Sequence, residues 1–216
     1  MKTSLLFLAL FSISNLFGQT SGNGVTDIDG NFYDTVTIGN QVWMTKNLDV
    51  STFRNGDPIP RVKTKSGWKK AWEEGKPAWC YYKNKKKNGK KYGKLYNWYA
   101  VNDPRGLAPK GWHVPSDAEW TLLTEYLGGH GNKMKSTSGW KRHNGTNSSG
   151  FNGLPGGTRT YDGAFKYGDM DAYWWSSTEY DMDDALLFIL VDDFYGWNVR
   201  TNYPKEEGMS VRCLKD

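Results

Sequence analysis

The sequence predicts an α+β domain assembled from short strands, tight turns and few helices, on three observations. Aromatic residues make up 15% of the 216-residue chain and glycine occurs 25 times, while Leu, Ile and Val are sparse. That balance suits pleated, half-buried strands and turns better than helical layers. Residues 32–38 and 41–46 alternate apolar and polar side chains about Gly39-Asn40, the pattern of a β-hairpin with a two-residue turn. Ser116 and Glu119 stand three apart ahead of Trp120, Leu123 and Leu127. This capping box predicts a helix over residues 117–127, stopped by Gly128-Gly129.

Residues 1–18 read as a secretory signal. Lys2 is the positive start, residues 5–11 (L-L-F-L-A-L-F) are the apolar core, and Gly18 is a small residue at the cut. The apolar core is far shorter than the ~20 residues a bilayer span requires. The expected mature chain starts at Gln19 and is secreted, to the periplasm, the outer surface or the medium. Residues 19–26 are a polar leader, and residues 27–216 form one domain with enough chain for a single core.

Between these landmarks, Asn55-Gly56-Asp57-Pro58 is a turn cluster that ends the hairpin unit. Residues 63–76 are charged and studded with Trp, with weak helical character at best. Residues 78–82 (A-W-C-Y-Y) read as a short strand. Leu95, Trp98 and Tyr99 fall at i, i+3 and i+4, which predicts a short amphipathic helix within residues 92–101, a strand being the alternative. From His130 to Tyr173 the chain is rich in Gly, Ser, Asn and Thr, and Trp140, Phe151, Leu154 and Phe165 are expected to peg this long excursion to the body. The last third reads as a meander of strands at 174–177, 185–191 and 196–201, closed by residues 209–214. Trp43, Trp98, Trp112, Trp120 and Trp174 are the expected core tryptophans.

The formal charge is +5, and removal of Lys2 with the signal leaves +4. Six lysines crowd the nine positions of residues 83–91 (K-N-K-K-K-N-G-K-K). An acidic polymer is the sharp reading of that run; a solvated loop tip kept soluble by charge is the reading preferred on sequence. Nucleic acid is not an expected partner, because lysine without arginine reads it poorly. Two cysteines in an oxidising compartment predict one bridge, Cys80–Cys213. Closing a loop of that length is worth about 4–5 kcal/mol by chain entropy.

Six ordered segments carry a resemblance. They are D-I-D-G-N-F-Y-D-T-V-T-I-G-N-Q-V-W-M-T-K-N-L at 27–48, Y-G-K-L-Y-N-W-Y-A-V at 92–101, G-W-H-V-P-S-D-A-E-W at 111–120, S-G-F-N-G-L-P-G-G at 149–157, W-W-S-S-T-E-Y at 174–180 and S-V-R-C at 210–213. In this order they closely resemble the Fibrobacter succinogenes major paralogous domain, which occurs in secreted and surface proteins of Bacteroidetes-type bacteria. The resemblance covers nearly all of residues 27–216. It implies a C-type-lectin-like fold, a distant relative of the formylglycine-generating, sulfatase-modifying scaffold. That fold has two short helices packed on a mixed, mostly antiparallel sheet, with long loop excursions. No assigned activity comes with it.

Catalytic signatures are sparse. His113 lies in an extended stretch and is expected to be hydrogen-bonded and structural, while His130 and His143 have no partner spacing. Neither H-x-x-x-H nor C-x-x-C occurs, so no zinc site is expected. No cofactor is expected. A Ca²⁺ ion, which takes roughly six to eight oxygens, would have the acidic clusters at 169–171 and 181–184 to choose from. The predicted bridge consumes both thiols, so the oxidase chemistry of the formylglycine scaffold does not transfer.

What remains is binding: a secreted, non-enzymatic surface-interaction domain whose ligand is a glycan or a cell-surface protein. A structural envelope or matrix domain is the alternative, followed by an enzyme of the sulfatase-modifying type. Tyrosine and tryptophan offer flat amphipathic faces for sugar rings and protein hot spots. The candidate contacts lie in the final third and its loops: Tyr161, Asp162, Tyr180, Asp183, Asp192, Tyr195, Trp197, Asn198, Arg200 and Asn202. Their location follows from the end of the sheet that carries ligand in lectin-like folds.

Overall fold

Four antiparallel sheets organise the described residues. The computed structural model describes residues 21–193 and 198–216; the expected signal, Tyr195 and Trp197 lie outside them. The largest sheet is five-stranded, in the order β1-β2-β3-β12-β6, from β1 (Ser21–Thr26), β2 (Phe32–Ile38), β3 (Gln41–Met44), β6 (Trp112–His113) and β12 (Leu214–Lys215). A three-stranded sheet runs β11-β10-β9, from β9 (Ala172–Glu179), β10 (Asp184–Leu190) and β11 (Asn198–Pro204). Two-stranded pairs join β4 (Trp79–Cys80) to β5 (Leu95–Tyr96), and β7 (Thr158–Arg159) to β8 (Phe165–Lys166). Among the described residues, parallel contacts occur only as isolated bridges, such as Trp174 with Ser210.

The fold class is therefore α+β with mostly antiparallel sheets, but the expectations need correction in several places. The described residues hold four helices rather than two: α1 (Lys65–Glu73), α2 (Lys86–Tyr92), α3 (Trp98–Val101) and α4 (Asp117–Tyr126). The polar leader becomes β1, paired with β2, because a Gly-rich polar strand suffices at a sheet edge. The lysine run is not a loop tip but a 3₁₀ turn followed by α2. Both alternatives for 92–101 occur in succession, as β5 and then α3. The closing segment does not extend the meander: β12 inserts between β3 and β6, while Met209 and Ser210 bridge back to Tyr96 and Trp174.

The hairpin and the capped helix follow their residues closely. β2 and β3 pair from Thr35–Met44 to Ile38–Gln41, with Gly39 at φ +61° in the turn. Ser116 Oγ accepts the Glu119 amide, and Glu119 Oε2 accepts the Ser116 amide at 2.7 Å. Thr64 Oγ1 caps α1 in the same manner, accepting from the Gly67 amide at 3.1 Å.

Two apolar clusters lie on either side of β9 and β10. Trp174, Phe188 and Leu190 face one, with Trp43, Trp120, Leu123 and Phe151. Trp175, Leu187 and Ile189 face the other, with Tyr96, Trp98, Trp112 and Val211. In the first, Trp120 of α4 stacks on Phe188 at 4.6 Å and 8°. All five expected core tryptophans are buried, as are the pegs Trp140 and Phe151; Leu154 and Phe165 are half-buried.

The Cys80–Cys213 bridge is not formed. Both side chains are free, buried thiols. Cys80 packs with Trp68, Ala78 and Leu95 under α1, whereas Cys213 lies in the cluster of Tyr33, Met44 and Val211. Burial pushes the Cys80 thiol up to about 11 and the Cys213 thiol up to about 12, so both stay protonated and unreactive at neutral pH. No helix among the described residues is long and apolar enough to cross a membrane.

Candidate functional site

The buried framework of the candidate region is ionic. Arg159, Lys205, Glu207 and Arg212 are each at most 4% exposed, and a buried charge is costly unless it is paired or hydrogen-bonded. Arg159 donates to the carbonyls of Val62, Lys63 and Thr64, and its guanidinium lies over the Trp68 ring at 4.5 Å. It thereby fastens the β7–β8 hairpin to the start of α1. Lys205 Nζ donates to Glu179 Oε1 and to the carbonyls of Asp181 and Met182, and lies over Trp98 at 5.2 Å. That ammonium holds the β9–β10 turn. Arg212 donates to the Met44 and Phe151 carbonyls and to Asn47 Oδ1, which also accepts from Trp174 Nε1 at 2.8 Å. Burial pulls its pKa down to about 9, still charged at neutral pH.

The structure divides the predicted residues into groups. Tyr161 and Asp162 sit on the tip of the β7–β8 hairpin. Tyr161 is 56% exposed, and its amide donates to Glu207 Oε1 at 3.2 Å. Asp162 closes the tip by accepting from the Thr160 hydroxyl and the Ala164 amide, bonds that hold its carboxyl below the usual range. Tyr180 and Asp183 sit on the β9–β10 turn, with Tyr180 59% exposed. The Asp183 carbonyl accepts the Lys205 amide at 3.0 Å. Asn202 of β11 donates to Asp184 Oδ2 beside the same turn. Both tips are thus tied to residues 205–208, since Gly208 in turn exchanges backbone bonds with Arg159.

Further along β11, Asn198, Arg200 and Asn202 alternate onto the face that bears Leu190, Phe188 and Leu186 of β10. Arg200 Nη1 lies 3.4 Å from Asp117 Oδ2 at the start of α4, and Asn198 donates to the Gly129 carbonyl. These residues run along an edge strand toward the opposite end of the sheet. Asp192 does not belong to the exposed set. It is 5% exposed and accepts the Arg142 and His143 amides at 2.8 Å each. The long excursion presents amides that need an acceptor there, and Asp192 supplies it.

His113 is held between two carboxylates, with Nδ1 2.7 Å from Asp216 Oδ1 and Nε2 2.9 Å from Glu119 Oε1. Burial works against its charge, but the carboxylates outweigh it and hold its pKa above the usual value. Both ring nitrogens are engaged, so the ring ties β6 to α4. The acidic clusters are likewise committed: Asp181 accepts the amides of Asp183 and Asp184, Asp169 the Tyr92 hydroxyl and Asp171 the Asp192 amide. Among the described residues no group of three or more His, Cys, Asp or Glu side chains is arranged to hold a metal ion.

Arg159, Lys205 and Glu207 escaped sequence reasoning because a buried cation over an aromatic ring is spelled like a surface one. K-E-E-G at 205–208 reads as a solvated turn, although it is the segment to which the turns bearing Tyr161 and Tyr180 are tied.

Tight turns thus frame the surface that carries Tyr161 and Tyr180. The family model for the Fibrobacter succinogenes major domain matches residues 36–215, and the chain belongs to that family. No curated protein and no solved structure matches it.

Proposed function

We propose that the protein is a secreted, non-enzymatic binding domain, on a C-type-lectin-like framework, that engages a glycan on a cell or matrix surface. One observation carries the reading: two exposed tyrosines, Tyr161 and Tyr180, stand on separate tight turns clamped to one segment by buried Lys205 and Glu207. Rigid aromatic faces lose little conformational entropy on binding and stack well on the apolar faces of sugar rings. Asp183 and Asn202 supply hydrogen-bonding groups at the Tyr180 turn.

The test is a glycan array combined with pull-downs on plant and bacterial polysaccharides, using the intact protein and the Tyr161→Ala and Tyr180→Ala variants. Retention that drops about tenfold or more with either substitution is the expected result, the scale of a lost aromatic anchor. Binding to a purified surface protein with no glycan retained would move the assignment to protein recognition. Clean negatives in both formats would favour a structural envelope role.

A further inference from the structure

α2 (Lys86–Tyr92) is a helix built against its own charge. Lys86 and Lys87 occupy its first turn, where the helix dipole disfavours cations. Lys86 with Lys90, and Lys87 with Lys91, are like-charged pairs four residues apart, which also destabilise a helix. No side chain caps its N-terminus. Tertiary contacts hold it instead. The Tyr81 ring lies so close to Gly89 that an added Cβ would meet it at 2.2 Å, and buried Tyr92 donates its hydroxyl to Asp169 at 2.9 Å.

The same chain treats the lysines of α1 differently, setting Lys69 against Glu73 at 3.6 Å and Lys70 against Glu74 at 3.7 Å. Lys83, Lys85, Lys86, Lys87, Lys90 and Lys91 are all exposed, and among the described residues none has a carboxylate within ion-pair distance.

The C-terminal two of these lysines, Lys90 and Lys91, border a cleft. Lys90, Lys91 and Lys46 line a polar cavity of about 200 Å³ together with Asn31, Asn47 and Phe32. Phe32 is 55% exposed, its ring laid across Gly24, where a Cβ would meet it at 2.1 Å. The carboxylate on this wall, Asp49, is matched by buried Lys94 at 2.8 Å, and Lys46 has only an exposed pairing with Asp34 at 3.5 Å. Such a pair is readily exchanged for a stronger anion.

We propose that α2 and this cleft form a binding site for an anionic polysaccharide carrying sugar carboxylates, distinct from the Tyr161–Tyr180 surface and independent of its assignment. The uncompensated ammonium rows meet the carboxylates, and the Phe32 ring receives the apolar face of a sugar. Duplex nucleic acid fits less well, since the patch offers point charges without the planar fork of arginine. A membrane fits less well too, since Phe32 is the lone protruding apolar side chain among otherwise mainly polar cleft residues.

The experiment measures retention of the intact protein on polygalacturonate, neutral dextran, polyphosphate and duplex DNA over a salt series. The expected result is retention on polygalacturonate and not on dextran, weakened by salt. A variant combining Lys86→Ala, Lys87→Ala, Lys90→Ala and Lys91→Ala should lose at least about tenfold in affinity with a shallower salt slope. A control combining Lys69→Ala with Lys70→Ala should bind as wild type. Phe32→Ala should weaken polygalacturonate binding and leave polyphosphate unchanged. Absence of polygalacturonate retention would overturn the proposal, as would wild-type affinity in the four-lysine variant. Polyphosphate or DNA binding as tight as polygalacturonate, with no effect of Phe32→Ala, would overturn the sugar specificity and leave a general polyanion surface.

Discussion

Replacing Glu207 by Gln should remove a pH dependence built into the clamp beneath Tyr161. The Glu207 side chain is 4% exposed and accepts from the Tyr161 amide at 3.2 Å and the Thr158 hydroxyl at 3.4 Å. Burial outweighs those bonds and pushes its pKa up from 4.5 to about 7. A carboxyl whose folded pKa lies above its unfolded pKa binds more protons in the folded state between the two values. Stability is therefore highest below about 4.5, falls as pH rises through about 7 and is level beyond. The gap between 4.5 and about 7 corresponds to about 3 kcal/mol. The Glu207→Gln variant keeps an acceptor for the Tyr161 amide. It also offers a donor to Thr158 Oγ1, which frees the hydroxyl proton for the Gly208 carbonyl at 2.9 Å. Urea unfolding of both proteins from pH 4 to pH 8 isolates this group, because every other titration cancels in the difference. The variant should gain about 3 kcal/mol on wild type between those extremes. A difference that stays constant across the series would refute the reasoning.

Other expectations follow from the same framework. Arg212→Met should destabilise by at least about 3 kcal/mol, because it strands Asn47 Oδ1 and two buried carbonyls without their donors; the urea midpoint measures it. His113→Gln should cost more at low pH than at high pH, since a raised histidine pKa stabilises fully below about 6.5 and the effect fades as pH climbs through the folded value; melting midpoints across pH 5 to 9 test the sign. Ser116→Ala should cost about 1 kcal/mol through loss of the α4 cap, read by the same urea titration. Reductant should leave the melting midpoint unchanged, and both thiols should resist alkylation until the chain unfolds, because Cys80 and Cys213 are buried and unbridged.

Elements whose information is local were legible in the sequence. The β2–β3 hairpin and α4 carry their turn glycines and capping box within a few residues, and the core tryptophans stand in periodic contexts. α1 was readable in principle, for Thr64 is a good cap and Trp68 and Ala71 are three apart, but lysines obscure its short apolar face. α2 offers no such face: its helicity rests on a tyrosine from outside the helix filling the space above Gly89. The candidate site shows the same division. Exposed Tyr161 and Tyr180 were chosen for their chemistry and lie on turns, whereas Asp192 looks identical in sequence but is the acceptor for two distant amides. Lys205 and Glu207 acquire their roles only when remote turns are brought onto them, and parity of cysteine count gave no clue that each thiol faces a different cluster.

The adjacent pair Trp174-Trp175 makes β9 a wall shared by two rooms. A one-residue slip would move each ring into the wrong room, so the register of β9 and β10 is fixed from both sides. β11 hangs on this wall as its outer shelf, contributing Tyr203 to one side while Asn198, Arg200 and Asn202 line its partly exposed border. Side chains at such positions are exchanged at small cost to stability. The scaffold can therefore change what it displays while the wall that carries the display stays constant.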